Sequence, residues 1–309
     1  MPIPDFQSLM LPTLKAFNAS EEMPLSEVRK QIKDAEGLSA EDIREMLSSG
    51  RQTKFANRVN WAVIYMERAH LLARVRRGVY RLTQEGKRLL VQAPLRIDIN
   101  LLEEKYPDFA EWRQRANTLP RGKDEGAKQN DNIIETPEEV LERVAQQLRS
   151  ELEADVLSRV RDAESSFLEQ IVVDLLIAMG YGGGDAARGQ VTGRSGDGGI
   201  DGTIREDALG LDEVYVQAKR NKDGNTVGEG DLRNFAGAID AAGTTKGVFV
   251  TTADFTRAAR EYVSRSPKRI ILIDGAELAR LMVQHGIGVR TRVQEVKQID
   301  EDYFDQEAI

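Results

Sequence analysis

Asp201, Gln217 and Lys219 are residues whose types and spacing could do chemistry. Asp201 stands in Gly199-Ile200-Asp201-Gly202, and the other two in Tyr215-Val216-Gln217-Ala218-Lys219. On an extended strand residues two apart point the same way, so Gln217 and Lys219 share a face while Val216 and Ala218 take the other. If the segment carrying Asp201 pairs beside that strand, a carboxylate, an amide oxygen and an ammonium converge. Oxygen donors suit a hard cation such as Mg²⁺, and an ammonium can polarise an attacking water or offset developing charge. Together they are equipment for hydrolysing a phosphodiester. A turn aspartate and an edge-strand lysine are the plainer reading of the same residues.

Composition narrows the alternatives. The 309 residues contain no Cys and only two His, His70 and His285. No disulfide framework, thiolate zinc site or thiol nucleophile can therefore be built. Both histidines follow what read as last turns of helices, where an imidazole usually caps or faces solvent, so Ser-His-Asp hydrolysis and a histidine base are disfavoured. The N-terminus Met1-Pro2-Ile3-Pro4-Asp5 lacks a charged segment followed by an apolar run, and no stretch is long enough to span a bilayer. The expectation is a soluble, cytoplasmic protein without a membrane partner.

The net charge of -8 argues at first against a nucleic-acid partner, but the basic residues are clustered. Arg51, Lys54, Arg58, Arg68, Arg74, Arg76, Arg77, Arg81, Lys87 and Arg88 face only Glu67 and Glu85 within one stretch. Phe55, Val59, Ala62, Val63, Met66 and Ala69 repeat at helical spacing, and Leu72 to Thr83 reads as a hairpin around Arg77-Gly78. Ser39 to Asp42 nearly matches a capping box for a further helix that Gly50 would end. Helices followed by a basic hairpin describe a winged helix. Its helix from about Phe55 to Ala69 would enter a DNA groove, and Arg58, Arg74, Arg76, Arg77 and Arg81 are the expected DNA contacts. A solvated basic face, or a protein-interaction module, is the alternative.

The expected division is 1–95 winged helix, 96–136 helix and polar linker, 137–290 catalytic domain and 291–309 acidic tail. Thr136-Pro137-Glu138-Glu139 supplies an N-cap, a first-turn proline and a third-position Glu, and Leu141, Val144, Leu148 and Leu152 continue the helix. Phe167 to Met179 reads as a buried helix. Strands are expected at 200–205, 214–219, 247–252 and 270–273, with helices at 231–242, 257–264 and 274–284. The result is an α/β domain with a mixed sheet, preceded by a mainly α winged-helix domain. The Gly-rich stretch 180–202 contains no P-loop and no dinucleotide fingerprint, so its glycines serve turns.

Gly-Ile-Asp-Gly and Tyr-Val-Gln-Ala-Lys-Arg, followed by Lys246-Gly247-Val248-Phe249-Val250-Thr251-Thr252 and Phe255-Thr256, resemble the catalytic domain of Mrr restriction endonucleases. Those enzymes belong to the PD-(D/E)XK nuclease superfamily. Asn57-Arg58-Val59-Asn60-Trp61-Ala62 and Arg77-Gly78-Val79-Tyr80-Arg81-Leu82-Thr83 are similar to the Mrr winged-helix domain. The resemblance implies a restriction-endonuclease-like sheet, Mg²⁺ bound by Asp201, Gln217 and the backbone carbonyl of Ala218, and Lys219 assisting the nucleophilic water. It further implies type IV activity, the cutting of double-stranded DNA that carries modified bases. Gln217 stands where the wider superfamily has an acid, and a neutral ligand should hold Mg²⁺ more weakly. Glu169 matches an acid that such nucleases place on the first helix of the core, yet Ser166-Phe167-Leu168-Glu169 also fits a capping box. A duplex break favours a homodimer or larger homo-oligomer. A DNA-binding regulator with an inactive nuclease fold and a repair or junction-resolving nuclease are the competing functions.

Overall fold

The computed structural model describes residues 2–117, 134–184, 189–191, 200–205, 213–222, 224–297 and 299. Residues 118–133 of the expected helix and linker at 96–136, part of the Gly-rich stretch including Gly199, and residues 298 and 300–309 of the expected tail at 291–309 lie outside the described residues. The chain divides into two units, Met1–Ala145 with Val296–Ile309, and Gln146–Glu295.

In the first unit Met10–Phe17 (α1), Met23–Pro24 (β1), Leu25–Ala35 (α2), Lys54–Arg68 (α3), Leu72–Arg76 (β2) and Val79–Leu82 (β3) follow one another. The three strands form one sheet in the order β1-β3-β2, the winged-helix arrangement expected from the pattern. Helix α3 starts at Thr53, whose Oγ1 accepts the N–H of Ala56 at 3.2 Å. Its apolar stripe, Phe55, Val59, Ala62, Val63 and Met66, sinks among Phe6, Leu14, Phe17, Val28 and Ile32. The hairpin reverses at Gly78, whose φ of +67° strains any residue with a Cβ. Gln84–Val91 (α4), capped by Thr83, then Ile99–Lys105 (α5) and Pro107–Asn117 (α6) complete the core. The helix expected before Gly50 is only a 3-10 turn, Asp42–Arg44. Ser39 and Asp42 do exchange hydrogen bonds, but the chain then extends and Met46 bridges Thr53.

Pro137–Asp162 (α7) opens with the expected capping box. The N–H of Thr136 donates to Glu139 Oε2 at 2.9 Å, and the N–H of Glu139 to Thr136 Oγ1 at 3.3 Å. This first turn lies on α3. Thr136 Oγ1 donates to Asn57 Oδ1 at 2.6 Å, Trp61 Nε1 to Glu138 Oε2 at 2.6 Å, and Arg58 pairs with Glu139 at 2.9 Å. Arg58 also donates to the carbonyls of Ile3 and Pro4. Its side chain is 12% exposed and that of Glu139 7%, so the expected DNA contact at Arg58 is corrected: its donors are spent inside the fold.

The second unit continues α7 into Ser165–Ala178 (α8), Gly189–Val191 (β4), Gly202–Arg205 (β5), Glu213–Lys219 (β6), Thr226–Val227 (β7), Glu229–Ala241 (α9), Lys246–Thr251 (β8), Asp254–Phe255 (β9), Arg257–Arg265 (α10), Arg269–Ile273 (β10) and Gly275–His285 (α11). Five strands form a mixed sheet in the order β10-β8-β6-β5-β4. Strand β6 pairs in parallel with β8 and antiparallel with β5. One face packs Ile204, Val214, Val216, Ala218, Val248 and Val250 against α8 and α11; the other packs Phe249 and Ile270 against Phe235 and Ile239 of α9. No described helix is long and apolar enough to cross a membrane.

Arg58→Ala leaves the Glu139 carboxylate buried without its partner, a change that costs about 3–5 kcal/mol. Exposed Arg74→Ala should stay within about 0.5 kcal/mol. Urea unfolding checks the contrast, and equal midpoints for the two variants would contradict it.

Candidate functional site

The site is built on β6. Its burial alternates along the whole strand, with Val214, Val216 and Ala218 buried and Tyr215, Gln217 and Lys219 half-buried on the face toward α9. Gly202 pairs with Val216, so Asp201, one residue before β5, stands level with Gln217. The N–H of Asp201 donates to the Val216 carbonyl at 2.9 Å, and its Oδ2 accepts the N–H of Ala218 at 2.7 Å. The carboxylate is thereby fixed over the stretch that carries Gln217. Burial pushes the Asp201 carboxyl above the usual carboxylate range, and the Ala218 N–H works against that rise.

Glu169 lies on α8. Burial, then the nearby charge of Asp201, raise its carboxyl as well. The helix is capped at Glu164 and begins at Ser165, without a side-chain cap hydrogen bond. Ser166 is therefore already inside the helix, and the capping reading of Glu169 loses its geometry. What stays is an acid facing Asp201.

Gln217 Oε1 is buried and has no hydrogen-bond partner among the described residues. An orphaned acceptor of this kind costs about 1–3 kcal/mol. Among the described residues no three His, Cys, Asp or Glu side chains gather into a metal cluster. The available set is two carboxylates and a neutral amide oxygen, all hard oxygen donors that fit Mg²⁺ better than a soft metal.

Lys219 Nζ donates to Asp231 Oδ1 at 2.5 Å, and Asp231 Oδ2 accepts the N–H of Gly228 ahead of α9. Sequence reasoning missed Asp231, although an acid in the first turn of a helix was the available signal. Behind Lys219 the chain is clamped by buried hydroxyls. Thr251 Oγ1 donates to the Lys219 carbonyl at 2.9 Å, and Thr252 Oγ1 accepts the Asn221 N–H at 2.8 Å and donates to its carbonyl at 2.7 Å. The Thr-Thr pair thus holds the end of β6.

In the first unit Arg74, Arg76, Arg77 and Arg81 are all exposed on the β2–β3 hairpin. Arg76 approaches Glu22 at 3.8 Å, a solvent-exposed pair of small worth. Arg58 does not join them. His70 bonds Asp108 at 3.1 Å on the surface of the first unit, and His285 is the last residue of α11 in the second.

A family model described as a restriction endonuclease, the Mrr catalytic domain, matches residues 160–282, and one for the Mrr N-terminal domain matches residues 6–92. The type IV methyl-directed restriction enzyme EcoKMrr of Escherichia coli (strain K12) is 33% identical over 313 residues, which covers 99% of this chain and 100% of that protein. Two solved structures are similar over part of their length. MspJI restriction endonuclease in complex with a 27-mer oligonucleotide gives 26% identity, a TM-score of 0.34, and coverage of 44% of this chain and 33% of the other. The DNA modification-dependent restriction endonuclease AspBHI gives 23% identity, a TM-score of 0.37, and coverage of 46% and 36%. The match thus spans about a third of each of those two chains.

The raised carboxyls have a stability consequence whose sign is fixed. Each favours the folded chain while protonated, and that contribution is lost as pH rises from about 4, the free carboxylate range, through the higher native value. Asp201→Asn keeps an acceptor for the Ala218 N–H without the charge. In chelator it should melt above the wild type at pH 8, with a smaller gap at pH 5. A gap independent of pH would show that Asp201 is not desolvated.

Proposed function

The chain belongs to the Mrr family of restriction endonucleases, and on that premise we propose that it is a Mg²⁺-dependent type IV enzyme that hydrolyses phosphodiester bonds of methylated double-stranded DNA. The observation that supports the metal assignment is the buried Gln217 Oε1, without a hydrogen-bond partner among the described residues, level with Asp201, whose carboxyl, like that of Glu169, burial makes reluctant to ionise. Asp201, Gln217 and the Ala218 carbonyl would hold the ion, with Glu169 as a further ligand. Bound there, Mg²⁺ supplies Lewis-acid stabilisation of phosphate oxygens and a more acidic water.

The protein's own groups do the rest. The Ala218 N–H keeps the Asp201 carboxylate in one orientation, so it is ready for the ion without reorganising. Lys219 carries three N–H donors, one of which is spent on Asp231; the others are available to orient the nucleophilic water and to meet charge developing on the phosphate. Arg74, Arg76, Arg77 and Arg81 would grip backbone phosphates and so bring the duplex to the enzyme. Cutting both strands calls for a second active site, hence a homodimer or larger homo-oligomer acting in the cytoplasm.

Matched plasmids that carry or lack adenine or cytosine methylation, incubated with Mg²⁺, test the reading. Cleavage should be confined to a methylated plasmid, and equal cutting of all of them would contradict modification dependence. Asp201→Ala and Lys219→Ala should each abolish cleavage while leaving DNA binding nearly intact.

Gln217→Glu keeps an oxygen at similar reach and adds charge, so the Mg²⁺ midpoint for cleavage should fall. Gln217→Ala should raise it or remove activity. One midpoint shared by wild type and both variants would make Gln217 a structural residue.

A further inference from the structure

Arg29, on α2, is a cation that the fold leaves without an anion. Its Nη2 donates to Asn60 Oδ1 at 2.7 Å, while its Nε is buried with no partner among the described residues. It makes no ion pair there, and burial alone weakens its hold on its proton. Enclosing a guanidinium without a carboxylate is costly, so a fold selected only for stability has reason to avoid it.

The surroundings indicate what would complete it. Asn60 Nδ2 in turn donates toward Gln52 Oε1 at 3.5 Å. The chain from Arg29 through Asn60 to Gln52 therefore passes donors in one direction, and its free end is the Gln52 amide N–H₂. Spare N–H groups of Arg29 and Gln52 form a donor-only set, the complement of an oxyanion.

Its place on α3 separates it from the covered face. Helical periodicity puts Asn57, Arg58 and Trp61 on the side held by the start of α7, and Phe55, Val59, Ala62 and Met66 on the core side. Asn60 lies on a third side with Ala56 and Glu67, all half-buried rather than buried. This is the side of α3 that meets α2 through Arg29.

We propose that Arg29, with Asn60 and Gln52, is a phosphate-binding site for the duplex backbone in the crease between α2 and α3. The inference rests on the DNA-binding reading of the first unit and adds to it a residue group outside the basic hairpin.

The test uses the full chain in chelator, so that no cleavage occurs, and short fluorescent duplexes with and without methylation. Arg29→Met should weaken binding to every duplex by a similar factor and lower the slope of log affinity against log salt by about one. Its melting temperature should match or exceed that of the wild type, because a half-buried charge with a buried, unpartnered Nε has gone. Arg29→Lys should keep the slope. An unchanged slope in Arg29→Met overturns the site alone. A wild type that shows no salt-dependent binding overturns the DNA-binding reading and the site with it. Lower melting alongside lost binding, or a loss confined to one sequence or methylation state, also overturns it, pointing to a structural role or to a base contact.

Discussion

The period-two alternation of β6 is the constraint on which the second unit depends. Strands β5 and β8 pair with it on its two edges, and helices cover both faces of the sheet, so the strand has a single workable register. A slip of one residue would turn Gln217 and Lys219 into the packing of Ile204, Val248 and Val250 and move Val214 and Val216 to the half-buried face toward α9 in their place. The apolar half of the strand therefore aims the polar half. Asp201 inherits its place from the same register, since its two hydrogen bonds are both to backbone groups of β6. Thr251 at the end of β8 and Thr252 after it extend the control by one more step, fixing the backbone at the point where Lys219 leaves the sheet.

A well-packed strand makes a costly site tolerable. Two desolvated carboxyls and an orphaned amide oxygen all work against folding at neutral pH, and together they mark where a ligand would recover free energy. The same physical signature recurs in the first unit. Three buried side-chain atoms lack partners among the described residues, Thr13 Oγ1, Arg29 Nε and Gln217 Oε1, and two of these are ionic or metal-seeking in character. The orphan at Gln217 is an acceptor and would suit a cation; the one at Arg29 is a donor and would suit an anion.

The sequence made β6 and Asp201 legible because strand alternation and the Gly-Ile-Asp-Gly motif are local properties. It could not separate the two roles of Glu169, since Ser166 and Glu169 have the spacing of a capping box; the start of α8 at Ser165 removes the capping geometry. Asp231 was invisible for a different reason. Its interest comes from Lys219, on another element, and an acid in the first turn of a helix is unremarkable by itself. Arg29 was hidden by company: on α2 it follows Glu27 and precedes Lys30, Lys33 and Asp34, so no charge excess singles it out. The missing counter-charge is a property of packing.

Arg58 shows the limit of counting charge along a chain. In the sequence it adds to a basic stretch, but its partner Glu139 lies 81 residues away and no window contains both. Once the pair is buried, DNA cannot claim the arginine without stranding the carboxylate, a larger penalty than one phosphate contact returns. The hairpin arginines are different, because exposed pairs such as Arg76 with Glu22 exchange partners at little cost. The acidic first turn of α7 therefore removes one side of α3 from the electrostatic attraction to DNA. What is left is directional: arginines on the hairpin and a donor cluster in the crease beside α2. A net charge of -8 is therefore compatible with a local basic surface, because the sign of the field near a polyanion is set by the charges that face it rather than by their sum over the chain.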